Sequence, residues 1–571
     1  MKTDWRSSVI AQLEKEAEQF LQTSTVSISF DTYRKFMRNG DRQSYEALYF
    51  LQRKRLTTFG LLQFLYPERQ AYTEALENEI WQVCNEFTWC LPAHLDRQFE
   101  EQDYKTYQQT NQLQYTVDLF AAETAFTLAE MIHFFGEHLD DFLVEKVKIE
   151  IDRRVFIPFL DGSFHWEKAT HNWASVCGGS IGAAALYLMN GDRKQSLIID
   201  RVIQTMNYYL AGFEEDGACT EGYGYWQYGF GYFVYFADLL KRYRNIDLFE
   251  YPKVKAVALF QQKVFLADNT VVNFSDAAPT AAPMIGFTHY LHKKFSEVHV
   301  PTESLATTSI VDHCGRWAPA IRELCWYDPK LKGRNWPTGS CLMEDSSIFL
   351  SRIEQHAFAV KAGHNHEPHN HNDIGQFILY SRGNVFLRDL GSGQYHKDYF
   401  SDKRYQFICN SAEGHSVPVV NGFYQQEGAR FYGEIIHAEQ NNNYDEIELD
   451  LSRAYPGQLQ FTRSFQYYKT EHPKLVIIDN FLFNESPSSL VESFIAEDLP
   501  FDLQDNKLYL EGDKETLEIS YEKDIVLPTV KRKSFRNHQG EIECYLHILC
   551  EVVSLNKQVS LRFECNLLGG K

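Results

Sequence analysis

From the amino terminus to about residue 330, apolar residues recur every three to four positions, the period of amphipathic helices. Ile10, Leu13, Ala17 and Leu21 fall on one face of a first helix, and Leu119, Ala122, Phe126 and Ala129 on one face of a later one. The same period predicts helices near 44–65, 72–91, 138–151, 174–189, 195–211, 226–243 and 253–266. Many similar helices joined by short loops predict stacked helical hairpins, an (α/α) toroid or solenoid, rather than a four-helix bundle. No fixed-period sequence repeat accompanies them.

Between roughly 298 and 343 the pattern gives way to Pro, Gly, Thr and Ser, in VPTESLATTS and KGRNWPTGS, which reads as a connector between domains. Beyond it the period is two. Leu459, Phe461 and Phe465 alternate with Gln460, Thr462 and Ser464, and the apolar run 475–478 closes on Asp479 and Asn480 as a strand meets a turn. Similar runs near 346–352, 357–362, 375–380, 384–389, 430–437, 444–452, 489–495 and 545–563 predict an antiparallel β-sandwich. The fold class is therefore multidomain α+β, with an (α/α) toroid over 1–335 and an antiparallel β-sandwich over 336–571.

Length agrees with two domains, because 571 residues exceed the roughly 250 to 300 at which a single core stops growing. Charge narrows the partners. Lys plus Arg total 56 against 77 for Asp plus Glu, a net charge of -21, which disfavours nucleic acid as a general partner but leaves room for an anion in a local basic or metal-bearing cleft. An aromatic share of 15% supplies planar surfaces on which sugars stack. The first twenty residues lack the apolar core of a leader peptide, and no apolar run reaches the length of about 18 residues that spans a bilayer. The chain reads as soluble and cytoplasmic, with no membrane partner, and a homo-oligomer is compatible with it. Its 11 scattered Cys, without a CxxC pair, suit reduced buried thiols.

The densest chemistry lies in GHNHEPHNHNDIGQF, residues 363–377, where His364, His366, His369 and His371 stand beside Asp373. Imidazole titrates near neutrality, so such a cluster moves protons, holds a transition metal, or divides the two jobs; the plainer alternative is a polar loop. On an extended segment His369 and His371 point to the same side. With Asp389 in FLRDLGSG and His415 in NSAEGHSVPVVNG, a histidine and a carboxylate from neighbouring strands would complete a three-ligand zinc-type site with an open position. In the helical half, THNWASVCGG places His171, Asn172 and Trp173 at a helix start, where Asn172 is equally a cap. DGACTEGYGYWQYGFGYF interleaves Gly with Tyr223, Tyr225, Trp226, Tyr228 and Tyr232, suited either to a sugar-binding cleft or to an aromatic core.

HNHNDIGQFILYSRGNVFLRDLGSGQY with the downstream GHS resembles the β-sandwich signature of the heparinase II/III superfamily of polysaccharide lyases, and the Asn-Trp and EGYGYWQYG segments resemble its toroid. The resemblance implies β-elimination at a hexuronate of a glycosaminoglycan of the heparin, hyaluronan or chondroitin type, with alginate or another uronate oligosaccharide as the alternative. It makes Tyr225 and His369 the proton-transfer pair and Asn172 the group neutralising the substrate carboxylate. It makes His371, Asp389 and His415 the ligands of Zn2+, and no organic cofactor is expected. His171, Trp173, Tyr223, Trp226, Tyr395 and Arg404 are expected at the anionic polysaccharide or oligosaccharide; a register error of two would exchange Tyr223 for Tyr225. Lys403 and Arg404 also read as solvated charge, and His364 and His366 carry no role. From other classes, a metal-dependent glycan hydrolase and a non-catalytic carbohydrate-binding protein remain.

Overall fold

Helices form where the apolar period places them. In a computed structural model describing residues 4–95, 114–395, 397–457 and 459–569, they span Trp5–Leu21, Gln43–Leu65, Leu119–Phe135, Asp141–Ile151, Asn172–Leu188, Arg193–Ala211 and Tyr223–Arg244. The first starts at Asp4, whose carboxylate accepts from the Ser7 amide. Its buried face is Trp5, Val9, Leu13, Glu16 and Ala17, one position round from the expected stripe, with Leu21 exposed. Trp5 sets that rotation: its Nε1–H donates to Thr307 O at 3.0 Å and its ring lies 4.9 Å from Tyr327.

Three expectations in this half fail locally. The helix begun at Gln70 stops at Cys84 rather than reaching 91. The stretch 253–266 divides into Pro252–Ala258, Phe260–Val264 and a strand Phe265–Ala267 that pairs with Thr270–Val271. The connector contains the helix Trp317–Trp326, because Trp317, Ala320, Ile321 and Leu324 bury one face despite the surrounding Pro and Gly.

The chain divides into two compact units. One comprises Met1–Phe213, Trp226–Ala258 and Ala282–Gly333; the other comprises Glu214–Tyr225, Leu259–Ala281 and Arg334–Lys571. Within the helical unit, Asn172–Leu188 presents small residues to Tyr223–Arg244. Ser175 Oγ donates to Gly229 O at 2.7 Å, and a Cβ on Gly182 would lie 2.5 Å from the Phe236 ring, so only glycine permits the approach. The composition that set this helix apart in the sequence is a packing requirement.

The second unit holds two nine-stranded antiparallel sheets. The first runs Phe501–Gln504, Lys507–Glu511, Glu515–Tyr521, Gln558–Gly569, Lys474–Phe483, Leu459–Tyr468, Tyr444–Asp450, Gly428–Gln440 and Gly363–Asn365. The second runs Val526–Arg536, Ile542–Val552, Leu490–Glu497, Asn384–Leu387, Phe377–Ser381, His356–Lys361, Ile348–Ile353 and Gly339–Met343, with Val419–Val420 also on Leu490–Glu497. Their inner faces share one apolar core in which Phe358 lies 5.1 Å from Phe465 and Phe494 lies 4.9 Å from Phe563. The run 545–563, expected as one stretch, is two strands in different sheets, and 553–557 carries the chain across.

A charged cluster sits inside this core. Arg463 lies on the inward side with Phe461 and Phe465, pairs bidentately with Asp479 at 2.8 and 2.8 Å, and reaches Glu492 at 2.7 Å. Burial, reinforced by the Asp479 charge and opposed by Arg463, holds the Glu492 carboxyl well above its ordinary range. Its folded form keeps a proton that the unfolded chain releases above about pH 4.3. Stability from this group is therefore complete below that pH and is lost as pH rises through the folded value. Glu492→Gln, a mimic of the protonated form, is expected to flatten this decline, seen as a smaller fall in unfolding midpoint between pH 5 and pH 8 than in the unsubstituted protein.

Candidate active site

The histidine loop leaves the edge strand Gly363–Asn365 of the first sheet and enters the second sheet at Phe377–Ser381. Gln376, fully buried, ties three segments together. Its Nε2 donates to Arg388 O at 2.9 Å, beside Asp389, and its Oε1 accepts from the Ser416 amide at 2.6 Å, beside His415. Arg463 adds a second tie from the opposite sheet, donating to Gly375 O at 3.1 Å and Ser416 O at 2.7 Å. Strand order thus brings together residues far apart in sequence.

His369 has φ +55, a left-handed conformation costing a non-glycine residue about 1–3 kcal/mol unless its surroundings enforce it. They do: the Nδ1–H donates to Asp276 Oδ2 at 2.8 Å, and the ring packs at a tilt of 33° with its centroid 4.6 Å from that of Tyr225. With the proton assigned to Nδ1 by that partner, Nε2 carries the lone pair; it lies 3.5 Å from Glu221 Oε2. Tyr225 Oη lies 2.8 Å from Tyr395 Oη and 3.5 Å from His369 Nδ1. Burial and then the Asp276 charge push the Tyr225 phenol well up, so it is a neutral proton donor across the physiological range.

Asp276, with no exposed side-chain surface, is the hub of this cluster and was not marked by any sequence pattern. Oδ2 accepts from His369 and from Arg404 at 2.9 Å; Oδ1 accepts from His371 Nε2 at 3.0 Å and Tyr399 Oη at 2.5 Å. Burial alone would raise this carboxyl, but hydrogen bonds from His369 and His371, with the charges of His371 and Arg404, hold it well below the usual carboxylate range. Glu221 and Tyr399 were equally invisible in sequence.

Alongside it lies a candidate metal centre. His371, Asp373 and His415 bring ligand atoms within 4.8 Å of one another, and Asp389 joins through His415, its Oδ2 lying 3.1 Å from Nδ1. Among the described residues, His371 Nδ1 and Asp373 Oδ2 are buried without a hydrogen-bond partner. Each imidazole uses its other nitrogen, His371 on Asp276 and His415 on Cys409 O at 3.1 Å, the support that metal-bound histidines commonly have. Two imidazoles and two carboxylates suit zinc. Asp373, whose Oδ1 accepts from Lys361 Nζ at 2.9 Å, stood in the histidine stretch without being assigned as a ligand.

The other expected residues separate. Tyr223 is a core residue, its hydroxyl donating to Gln261 Oε1 at 2.8 Å and its ring edge-on to Phe265 at 4.8 Å. Trp226 is also buried, with its Nε1–H on Val257 O at 2.7 Å. Neither can face a sugar as expected: positions 223 and 226 share the buried side of one helix, and 225 falls off it. Arg404 is not solvated; besides Asp276 it donates to Asn370 O at 3.0 Å. Lys403 is exposed and pairs with Asp398 at 3.5 Å. His171, Asn172 and Trp173 belong to the helical unit. His171 holds the cap position, Asn172 is buried at the first helical position, and Trp173 packs against His94 at 5.1 Å. His364 and His366 are exposed.

Residues 341–509 match the family described as heparinase II/III-like, C-terminal. Solved structures with the same fold extend the likeness to the rest of the chain. The heparan sulfate lyase HepC from Pedobacter heparinus is 14% identical, with 100% of this chain and 85% of that one covered at a TM-score of 0.64. A heparinase III is 12% identical over 98% of this chain and 88% of that one, TM-score 0.66. The chondroitin AC lyase from Streptomyces coelicolor A3, solved with chondroitin sulphate, is 10% identical over 99% and 79%, TM-score 0.56. At these identities the likeness is one of fold: the helical toroid plus antiparallel sandwich expected from the sequence. No curated protein sequence matches the chain. The candidate metal centre lies within the matched residues, whereas Tyr225 and Asp276 lie outside them.

Proposed function

We propose that this protein is a polysaccharide lyase that cleaves glycosaminoglycans at a hexuronate by β-elimination. The observation that carries this reading is the pairing of a neutral phenol, Tyr225, with an imidazole whose Nδ1–H is held by a buried carboxylate, in a fold shared with heparan sulfate and chondroitin lyases. Elimination removes the C5 proton, α to the uronate carboxylate, and expels the C4 oxygen. His369, oriented through Nδ1 by Asp276, suits proton removal through Nε2, and Tyr225 suits protonation of the leaving oxygen. Polar groups for an anionic substrate stand at this end: His538 lies 4.4 Å from Tyr395, and Arg536, two residues before it, is exposed at the end of the strand Val526–Arg536.

Charge building on the uronate carboxylate needs a donor, a role the family resemblance gives to Asn172; one such donor is typically worth about 2.7–4 kcal/mol. His371, Asp389 and His415, with Asp373, would hold a zinc ion, which when bound supplies positive charge and a fixed ligand geometry. The protein's own part there is to orient the histidine loop.

Incubation with heparan sulfate, chondroitin sulfate, hyaluronan and alginate, followed by near-ultraviolet absorbance and product mass, tests the reading. A new double bond at the non-reducing end is expected with at least one glycosaminoglycan. Saturated products would make the protein a hydrolase, and unaltered chains a binding protein; either result overturns the proposal.

A further inference from the structure

We propose that Asp276 is a positioning residue that locks His369 and His371 into one geometry, so that metal occupancy at His371 is transmitted to the proton-transfer histidine. For its catalytic consequence this rests on the lyase reading above, but its structural core does not.

The carboxylate divides its oxygens between the two jobs. Oδ2 takes the Nδ1–H of His369 and Oδ1 takes the Nε2–H of His371, so one planar group fixes both tautomers and both ring orientations. Tyr399 and Arg404 each occupy a remaining lone pair, Tyr399 on Oδ1 and Arg404 on Oδ2, and leave the carboxylate little freedom to turn. The side chain is completely buried, so water does not supply substitute bonds. A ligand drawing His371 towards a metal through Nδ1 therefore pulls on the same group that aims His369. Had Asp276 merely balanced the Arg404 charge, the two imidazoles would not both need to be on it.

The experiment is a Zn2+ titration of the metal-free full chain, labelled at its histidine ring nitrogens, with the His369 signal assigned from its loss in His369→Ala. Zinc is expected to move the ring signals of both His371 and His369 in the unsubstituted protein. In Asp276→Asn, zinc affinity should fall about 10- to 100-fold and the His369 signal should no longer respond. With a substrate in hand, kcat should fall about 10- to 100-fold while KM stays within about threefold, and Asp276→Glu should recover part of the loss. A His369 signal indifferent to bound zinc, no zinc binding, or an Asn variant that keeps both properties would overturn the proposal. If Asp276→Asn does not fold, the titration of the unsubstituted protein decides alone. None of the zinc readouts uses a glycan, so failure of the lyase reading and failure of this inference are distinguishable.

Discussion

Tyr225→Phe is expected to lower kcat for uronate elimination by about 10²- to 10⁴-fold, the usual contribution of a positioned acid or base, with the fold unchanged. The substitution removes one oxygen and keeps the ring that packs against His369 at 4.6 Å. It leaves Tyr395 without its 2.8 Å partner, but that contact is half-buried and accessible to water. Because burial and Asp276 push the phenol up, Tyr225 keeps its proton well beyond its ordinary value of about 10. No loss of rate from its ionisation is expected between pH 6 and pH 9. Initial rates by near-ultraviolet absorbance, beside a thermal unfolding control, check this; a variant within about threefold of the unsubstituted rate removes Tyr225 from the chemistry.

Arg463→Met is expected to destabilise the sandwich by about 3–5 kcal/mol, the range for stripping the partner from a buried charge. Asp479 and Glu492 would be stranded in the core, and the carbonyls of Gly375 and Ser416 would lose their donor. Both carboxyls would then have folded pKa values above their unfolded ones, so the loss should be greatest at neutral and alkaline pH and shrink towards pH 5. Urea unfolding at pH 5 and pH 8 reads this directly. Adding Asp479→Asn and Glu492→Gln to Arg463→Met should restore much of the stability, since a neutral core needs no cation; no recovery would show that the arginine acts through the two carbonyls instead. Those carbonyls lie beside Asp373 and His415, so the Met variant should also loosen the candidate metal centre.

Helical and strand periods were legible because each depends on which face of a local element meets a core, a property of residues three, four or two apart. The histidine stretch was legible for a similar reason: four imidazoles within eight residues are dense enough to stand out, and Asp389 closes a run that the pattern locates, whereas His415 follows the short turn Ala412–Gly414, outside any predicted strand. Tyr223 and Tyr225 were not separable by motif, but helix rotation separates them, turning one into the core and the other towards His369. Arg463 stood on the apolar face of its strand in plain view, yet its partners lie on two other strands.

Sequence by itself determined the two-domain α+β class, most strand positions and the residues able to bind metal or move protons. Tertiary structure alone decided which of them act together. Asp276 shows why: it occupies a stretch, NFSDAAPTAAP, with neither a helical nor a strand period, and its importance lies wholly in four donors contributed by His369, His371, Tyr399 and Arg404, about 90 to 130 positions away. A buried carboxylate is tolerated only where such donors converge, and convergence is a property of chain topology that no local spacing encodes.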